Sequence, residues 1–278
     1  MKDIFIMIKR TFILLLFISL YTSLFAGSFR HLNVREGLSS RQVYQICKDS
    51  TGFIWAYTHM GVDRYDGNEI RHYKLNETID SKDHILSFTV MEIDKEGNLW
   101  IALRNGRIYR YDKLKDCFEL QVDLSQSISF PVLNGIEFEE NGGLWLSTST
   151  GVYYWSRTDK VLSPAGLIGE WTNCIIKSAE NTFFVGTNTE VYKMEKSRTT
   201  CQLSKEQVDI PVEARIEALF LYGTKLYVGT FSNSAFVIDL VTKQVKSLNS
   251  FIPGIPVRVF AHDGDHSILI GADGAGVF

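Results

Sequence analysis

Two short segments near the C-terminus carry residue types that perform chemistry in other proteins. Gly271-Ala-Asp-Gly-Ala-Gly276 is glycine-rich in the manner of a phosphate-binding loop, and four potential metal ligands lie just before it. A phosphate loop needs a helix N-terminus behind it, and no helix pattern follows here. The potential ligands fall on a predicted hairpin, where turn residues are expected. They are His262, Asp263, Asp265 and His266. We therefore predict no metal site and no cofactor.

Catalytic patterns are missing from the rest of the sequence. Asp49 and Asp94 each stand three residues before a glycine, in a loop too short for an EF-hand calcium site. No Ser/His/Asp order and no paired-carboxylate spacing recurs along the chain. The sequence thus predicts no catalytic residues.

Composition limits the class of protein. The chain has 278 residues, of which 45% are hydrophobic and 13% aromatic, enough for a large core. The formal net charge is -3, so no basic excess points to nucleic acid. Four cysteines, Cys47, Cys117, Cys174 and Cys201, lack Cys-x-x-Cys spacing, and we expect buried free thiols.

The N-terminus has the order of a secretory signal. Lys9 and Arg10 precede an apolar run that ends at Phe25, and small residues follow from Ala26. We predict a signal peptide over residues 1–26 and an exported domain over residues 27–278. Leu24 suits the -3 cleavage position poorly, so an uncleaved anchor is the alternative, although the run is short for a full span.

A repeat organises the remaining chain. Trp55, Trp100 and Trp145 are spaced 45 residues apart, and Phe184, Tyr227 and Leu269 continue the series at intervals of 39, 43 and 42. Seven to nine residues before each of these anchors stands an apolar residue. The six are Ile46, Ile93, Ile136, Ile175, Leu219 and Phe260. Turn residues between each pair, such as Asp49-Ser-Thr-Gly52, predict that every unit opens with a β-hairpin.

Two further strands are predicted in each unit. A second turn begins at Gly61, Gly106 and Gly151, and Gly61-Val-Asp-Arg-Tyr-Asp66 and Ile70-Arg-His-Tyr-Lys74 read as third and fourth strands. Four strands with a period near 43 residues are typical of propeller blades. A solenoid is the structural alternative, but its repeats carry fewer strands. The sequence therefore predicts an all-β propeller with five complete blades and part of a sixth.

A larger ring is predicted from the two ends. Phe29-Arg-His-Leu32 is similar to the outer strand Ile70-Arg-His-Tyr73, and such a leading strand is usually donated to the last blade. The chain stops within the third strand of the sixth unit. A seven-bladed ring would need roughly 50 more residues at this period, so we expect an incomplete ring with an exposed apolar blade face.

Strand order also predicts a ligand-binding face. Loops joining strands two to three, and strand four to the next blade, lie at the same face, and small residues after the anchors suggest close backbones near the axis. Aromatic rings and arginines on that face suit sugars with acidic or hydroxyl groups. Alternatively, Trp171 and Tyr57 plug the channel and the arginines are solvated. The candidate ligand-binding residues are Arg41, Tyr57, His59, Arg104, Asn105, Trp171, Arg215 and Phe231.

The motifs of the first three units resemble a known family. Phe29-Arg-His-Leu-Asn33, Glu36-Gly-Leu-Ser-Ser40, Asp49-Ser-Thr-Gly-Phe-Ile-Trp55 and Gly61-Val-Asp-Arg-Tyr-Asp-Gly67 are similar to the opening of two-component regulator propellers. Tyr57 departs from the usual small residue, and Glu190 and Asn233 replace the usual glycine. The resemblance covers all of the chain after the signal segment and is loosest in the last three units.

The resemblance implies a periplasmic sensor of a hybrid two-component system that detects glycan-derived oligosaccharides. It also implies three partners: an oligosaccharide, a downstream membrane-anchored kinase region and a second copy of the chain. Kinase and receiver motifs are not found in this sequence, so we expect neither kinase activity nor contact with nucleic acid. The alternatives are a propeller lyase or hydrolase acting on polysaccharide and a protein-binding scaffold.

Overall fold

The computed structural model describes residues 31–75, 90–197, 202–211, 213–232, 235–264 and 267–278. The chain forms two compact units, Met1–Leu38 and Ser39–Phe278. The described part of the first unit holds one 3-10 turn, Val34–Glu36, capped by Asn33. The predicted signal peptide, the segment around Phe29 and Cys201 lie wholly or partly outside the described residues.

The second unit consists of antiparallel sheets whose strands follow chain order. Blade 1 contains β1 Val43–Lys48, β2 Ile54–Thr58, β3 Gly61–Tyr65 and β4 Ile70–Tyr73. Blade 2 contains β5 Val90–Ile93, β6 Leu99–Ala102, β7 Arg107–Asp112 and β8 Cys117–Asp123. Blade 3 contains β9 Leu133–Phe138, β10 Leu144–Thr148, β11 Gly151–Trp155 and β12 Leu162–Gly166.

The last three blades repeat the same arrangement. Blade 4 contains β13 Thr172–Ala179, β14 Thr182–Thr187, β15 Val191–Lys196 and β16 Leu203–Val208. Blade 5 contains β17 Ile216–Tyr222, β18 Lys225–Thr230, β19 Ala235–Asp239 and β20 Val245–Ser247. Blade 6 contains β21 Val257–His262, β22 Ile268–Ala272 and β23 Gly276–Val277. A short 3-10 turn, Leu124–Gln126, follows β8. Five four-stranded blades and a three-stranded sixth confirm the predicted architecture.

First strands of consecutive blades pack against one another, which places them at the axis. The anchors occupy equivalent places: Trp55, Trp100 and Trp145 lie in cores that each join their own blade to the next. Burying these rings between blades is the main stabilising term, at roughly 25 cal/mol per Å² of apolar area. Leu269, the sixth anchor, is partly exposed.

Carboxylates in the first hairpins fix the anchors. Trp55 Nε1 donates to Asp49 Oδ2 at 2.8 Å, and Trp100 Nε1 donates to Asp94 Oδ2 at 2.7 Å. In blade 3, burial would raise the pKa of Glu139, but Lys196 and then Trp145 outweigh it and lower that pKa. Trp145 Nε1 makes no aligned hydrogen bond among the described residues, so Trp55 and Trp100 are held by hydrogen bonds whereas Trp145 is not.

Small residues after the anchors make room for the next blade. A Cβ added at Gly186 would lie 2.6 Å from Ile216 Cγ2, and one at Gly229 would lie 2.9 Å from Val257 Cγ1. Both neighbours belong to the first strand of the following blade, so the close approach expected near the axis occurs between blades.

The terminal blades each expose an apolar face. Ile46 is 67% exposed, whereas Met91, which occupies the same register position in blade 2, is 1% exposed. Val259 and Leu269 are exposed on blade 6. Among the described residues, apolar side chains on both terminal blades are thus exposed, while the incomplete seven-bladed ring stays a prediction.

The structure also shows the environment of three cysteines. Cys47, Cys117 and Cys174 are free and partly buried. Burial raises the pKa of Cys47 to about 11 and that of Cys174 to about 12, so both thiols are unreactive at neutral pH.

Among the described residues, no helix is long and apolar enough to cross a bilayer.

Candidate functional site: the mouth of the propeller axis

The first strands of blades 1, 3, 4, 5 and 6 each carry a β-bulge near their start. In blade 2 the residues before the first strand lie outside the described ranges. The bulge adds one residue that the second strand does not match, and such bulges re-aim side chains. The extra residues are Tyr44, Asn134, Asn173, Glu217 and Arg258. Polar side chains thus gather at one end of the axis.

The turn between strands two and three lies at this same end. His59 N donates to Gln42 O, Phe231 N donates to Arg215 O, and Asp273 N donates to Pro256 O. Each bond joins a strand 2–3 turn to the segment that leads into the first strand of its own blade. We call this face, made of the entering segments, the bulges and the strand 2–3 turns, the mouth. Its existence confirms that the two loop classes share a face.

A repeated threonine shapes the turns at the mouth. Thr148 Oγ1 donates to Gly151 O at 2.8 Å and accepts from Thr150 N at 3.1 Å, and Thr58 makes the corresponding bonds in blade 1. Because both threonines are fully buried, these bonds hold the turn without help from solvent. Side chains on the turn are therefore presented from a fixed backbone.

Charged groups of blades 5 and 6 converge at the mouth. Glu217 is only 6% exposed, and its carboxylate lies 2.7 Å from Arg215 Nε and 2.7 Å from the Arg258 guanidinium. Arg258 also donates to Asp273 at 2.8 Å. Both guanidinium carbons lie over the Phe231 ring, at 5.6 and 5.5 Å from its centroid. A partly exposed aromatic ring and two arginines therefore surround one buried carboxylate.

The two ion pairs of Glu217 differ in quality. Arg258 makes an aligned hydrogen bond to Oε2, whereas the close contact of Arg215 Nε with Oε1 lacks hydrogen-bond alignment, leaving Oε1 a buried acceptor without a hydrogen bond. Burial alone would lower the pKa of Arg258, but Asp273 and Glu217 outweigh it and raise that pKa. Arg258 is therefore charged at every physiological pH.

Arg104 brings blade 2 into the same electrostatic environment. Its pKa is lowered by burial first and then by the charge of Arg215, while Glu217 acts in the opposite direction. Arg104 stands on the strand 2–3 turn of blade 2, so residues from blades 2, 5 and 6 act on one another across the mouth. Arg215 and Arg258 beside Phe231 can bind an anionic group of a ligand.

Three of the predicted ligand residues belong to the charged group around Glu217. They are Arg104, Arg215 and Phe231. His59 lies in the mouth of blade 1, where its Nδ1 is 3.2 Å from Tyr44 Oη. Trp171 is half-buried at the entry to blade 4.

The other three predicted residues have different surroundings. Arg41 is exposed, and Asn105 Oδ1 accepts from Arg107 N at 3.2 Å within its own turn. Tyr57 is 3% exposed and packs in the core between blades 1 and 2, because its side chain alternates to the same side as Trp55. Neither the ligand role nor the channel-plug alternative suits a tyrosine that is buried between blades.

Sequence reasoning missed Glu217, Arg258 and Asp273. Glu217 and Arg258 interrupt apolar first strands one residue after Ile216 and Val257, and a charged residue inside such a run was the available signal of a bulge. Asp273 was considered only as part of a glycine-rich loop. That loop contains the turn between β22 and β23.

One constellation in blade 1 has the residue types of a catalytic triad. Asp63 accepts from Ser39 Oγ at 2.9 Å, and its other oxygen lies 2.7 Å from His72 Nδ1. The carboxylate stands between the serine and the imidazole, so the histidine does not contact the hydroxyl that it would have to activate. Among the residues that the structure describes, no group of three or more potential ligands could hold a metal ion.

Further along the axis, the first strands carry two half-buried carboxylates. Burial raises the pKa of Glu92 to about 7, with the charge of Glu137 as the second cause. Burial also raises the pKa of Glu137, against a backbone hydrogen bond from Lys177 and the charge of that lysine. Glu137 and Lys177 line a cavity of about 600 Å³ near the hairpins of blades 2, 3 and 4.

The fold and the mouth define a β-propeller with a polar, arginine-rich axial face. No protein-family model matches the sequence, and no curated protein matches it. Solved structures do. The extracellular domain assigned to the hybrid two-component system BT4673 of B. thetaiotaomicron superposes with a TM-score of 0.67 at 21% identity, over 85% of this chain and 31% of that one.

Two further structures are similar. The extracellular domain assigned to the hybrid two-component system BT3049 of the same organism has a TM-score of 0.55 at 18% identity, over 89% of this chain and 41% of that one. Virginiamycin B lyase from Staphylococcus aureus has a TM-score of 0.64 at 14% identity, over 82% of this chain and 77% of that one. The chain thus has the fold of these extracellular domains and spans about a third of their length.

Proposed function

We propose that this chain is the ligand-sensing propeller of a hybrid two-component system, located outside the cytoplasm, and that it binds oligosaccharides at the mouth. The observation that carries the proposal is the cluster of Arg215, Arg258, Glu217 and Phe231 around one end of the axis. Aromatic faces bind sugar rings, and charged side chains on a fixed backbone bind hydroxyl groups. The motif resemblance and the shared fold of the extracellular domains support the sensing role.

Signalling then requires the binding event to bias a partner region. Arg258 belongs to blade 6 and is paired with Glu217 of blade 5, so a ligand that competes for either group changes a contact between two blades. A membrane-anchored kinase region, a homodimer and a periplasmic location belong to this proposal. The likeness to a lyase is a likeness of fold alone, and we assign no enzyme activity.

The test is a binding screen with purified residues 27–278. Oligosaccharides released from plant and host polysaccharides are titrated by calorimetry into the wild-type domain and the Phe231→Ala variant. We expect at least one oligosaccharide to bind the wild-type domain and to bind the variant about tenfold more weakly. Aromatic stacking contributes about 0.5–1.5 kcal/mol beyond the burial of apolar area, and about 1.4 kcal/mol corresponds to a tenfold change in affinity.

Two results would contradict the proposal. One is a screen in which no saccharide binds the folded domain. The other is turnover of a polysaccharide, which would favour the lyase or hydrolase alternative. Recovery of a protein partner without any sugar would favour a scaffold.

A further inference from the structure

The proposed function leaves open which class of saccharide the mouth selects, and the donors of Arg215 bear on this. The guanidinium approaches Glu217 through Nε and lies over Phe231. Its two terminal nitrogens make no hydrogen bond among the described residues, and the side chain is 43% exposed. These nitrogens form the planar fork that matches two oxygens of one oxyanion.

Glu217 holds this fork in place. The carboxylate is almost fully buried and is fixed from the other side by Arg258, which is itself tied to Asp273. The contact of Nε with this buried carboxylate and the packing over Phe231 place the guanidinium at the mouth, with the side chain 43% exposed. Arg215 is therefore oriented before any ligand arrives, which reduces the entropy lost on binding.

Glu217 also has an acceptor to offer. Its Oε1 is buried beside Arg215 without a hydrogen bond, and buried polar atoms of this kind call for a specific explanation. Oε1 therefore lacks a hydrogen-bond donor while Arg215 is in this position. A sugar hydroxyl next to an acidic substituent would supply that donor.

The charge of the region agrees with an anion. Arg215 and Arg258 lie beside Glu217, and the charges of Arg215 and Glu217 act on Arg104. An oxyanion at Arg215 would gain charge-assisted hydrogen bonds that a neutral sugar does not make.

Resting on the proposed function, we propose that the mouth selects acidic saccharides, with the Arg215 fork holding a carboxylate or sulfate and Glu217 accepting a neighbouring hydroxyl. Neutral saccharides of the same ring type then bind more weakly because the fork is left without its acceptors. The residue that sets specificity is Arg215, and Glu217 is the residue that positions it.

The experiment compares ligands that differ only in charge. Trigalacturonic acid is titrated against its methyl ester, and a hyaluronan tetrasaccharide against its carboxyl-reduced form. A chondroitin 6-sulfate tetrasaccharide, intact and carboxyl-reduced, separates sulfate from carboxylate as the bound group. We expect the charged member of at least one pair to bind at least about tenfold more tightly, as hydrogen bonds to charged groups predict.

Arg215→Lys keeps the charge and removes the fork, and Arg157→Lys on the outer turn of blade 3 is the matched control. We expect about a tenfold loss of affinity for the acidic ligand in R215K, a smaller loss for its neutral counterpart, and no loss for either ligand in R157K. Thermal unfolding of each variant confirms that it is folded.

The outcomes separate the two proposals. If saccharides bind but neutral members bind as tightly as acidic ones, or R215K binds like wild type, the acidic specificity is wrong and the sensing proposal stands. If no saccharide in either screen binds, the sensing proposal itself is wrong.

Discussion

The hairpin end and the mouth end of the same blades use their charges in different ways. At the hairpin end, Asp94 accepts hydrogen bonds from Trp100 and Asn98 of its own hairpin, so its oxygens are occupied within the fold. At the mouth, Arg215 contacts Glu217 through Nε, its terminal nitrogens make no hydrogen bond among the described residues, and its side chain is 43% exposed. A charge whose partners are all internal stabilises the fold, while a charge with donors left over is available to a ligand.

The largest expected effect tests the hairpin end. Asp94→Ala removes the acceptor of the buried Trp100 indole and of the partly buried Asn98 N. We expect a loss of about 3 kcal/mol in the free energy of unfolding, measured by urea denaturation at pH 7. Affinity for any ligand at the mouth should be unchanged in the folded variant.

The pH dependence of that loss has a defined sign. Burial would raise the pKa of Asp94, but the bonds from Trp100 and Asn98 outweigh it and lower the pKa. The contribution is therefore present above the unfolded-state pKa and disappears as the pH falls through the lowered one. Asp66→Ala, at an exposed turn, is the control and should be much milder. Equal losses in both variants would show that the indole bond is unimportant.

The next effect concerns the axis between the two ends. Glu92 has a pKa raised to about 7 by burial and then by Glu137, so it is neutral in the folded state at pH values where the unfolded chain is charged. Stability is thus lost as the pH rises from about 4.5 to 7. Glu92→Gln should be more stable than wild type by up to about 3 kcal/mol at pH 8 and similar to it at pH 4.

The control for Glu92→Gln is a variant at an exposed glutamate. Glu69→Gln changes the same charge at an exposed position and should alter the free energy of unfolding by less than about 0.5 kcal/mol. Denaturation curves from pH 4 to pH 8 supply the measurement. A constant difference between E92Q and wild type across that range would remove the case for a protonated axial carboxyl.

The smallest effect tests the turns of the mouth. Thr148→Val keeps the shape of the side chain but removes the bonds to Gly151 O and Thr150 N. We expect a loss of about 1 kcal/mol by urea denaturation, because both groups lie in a buried turn. Thr158→Val, on an exposed outer turn, should be neutral. Blade 2 has Leu103 at the equivalent place, so a large loss would mean that Thr148 does more than shape its turn.

Most of the fold could be predicted because the repeat is local. Each hairpin and its anchor lie within about 20 residues, so turn chemistry and alternation identify them. Register was less secure. The sequence pattern makes Ile93 the repeat equivalent of Ile46. In the structure, Met91 is the equivalent residue, since it lies opposite Ile101 as Ile46 lies opposite Ala56. Residues 91 and 93 point to the same side of a strand, so alternation cannot choose between them; the hairpin length does.

The candidate site was predicted less completely, and the bulges explain why. A bulge moves one side chain out of the alternation, so Glu217 and Arg258 could not be assigned a direction from the strand pattern alone. Arg215, Phe231 and Arg104 were predicted because they lie on loops whose face follows from strand order.

The sequence by itself determined the four-stranded unit, its count and the face on which each loop lies, since these depend on residues close together in the chain. Only the tertiary structure decided which loops meet. Arg104 and Arg215 are 111 residues apart and interact because separate blades pack around one axis. That packing depends on cores shared between blades, which no single repeat encodes.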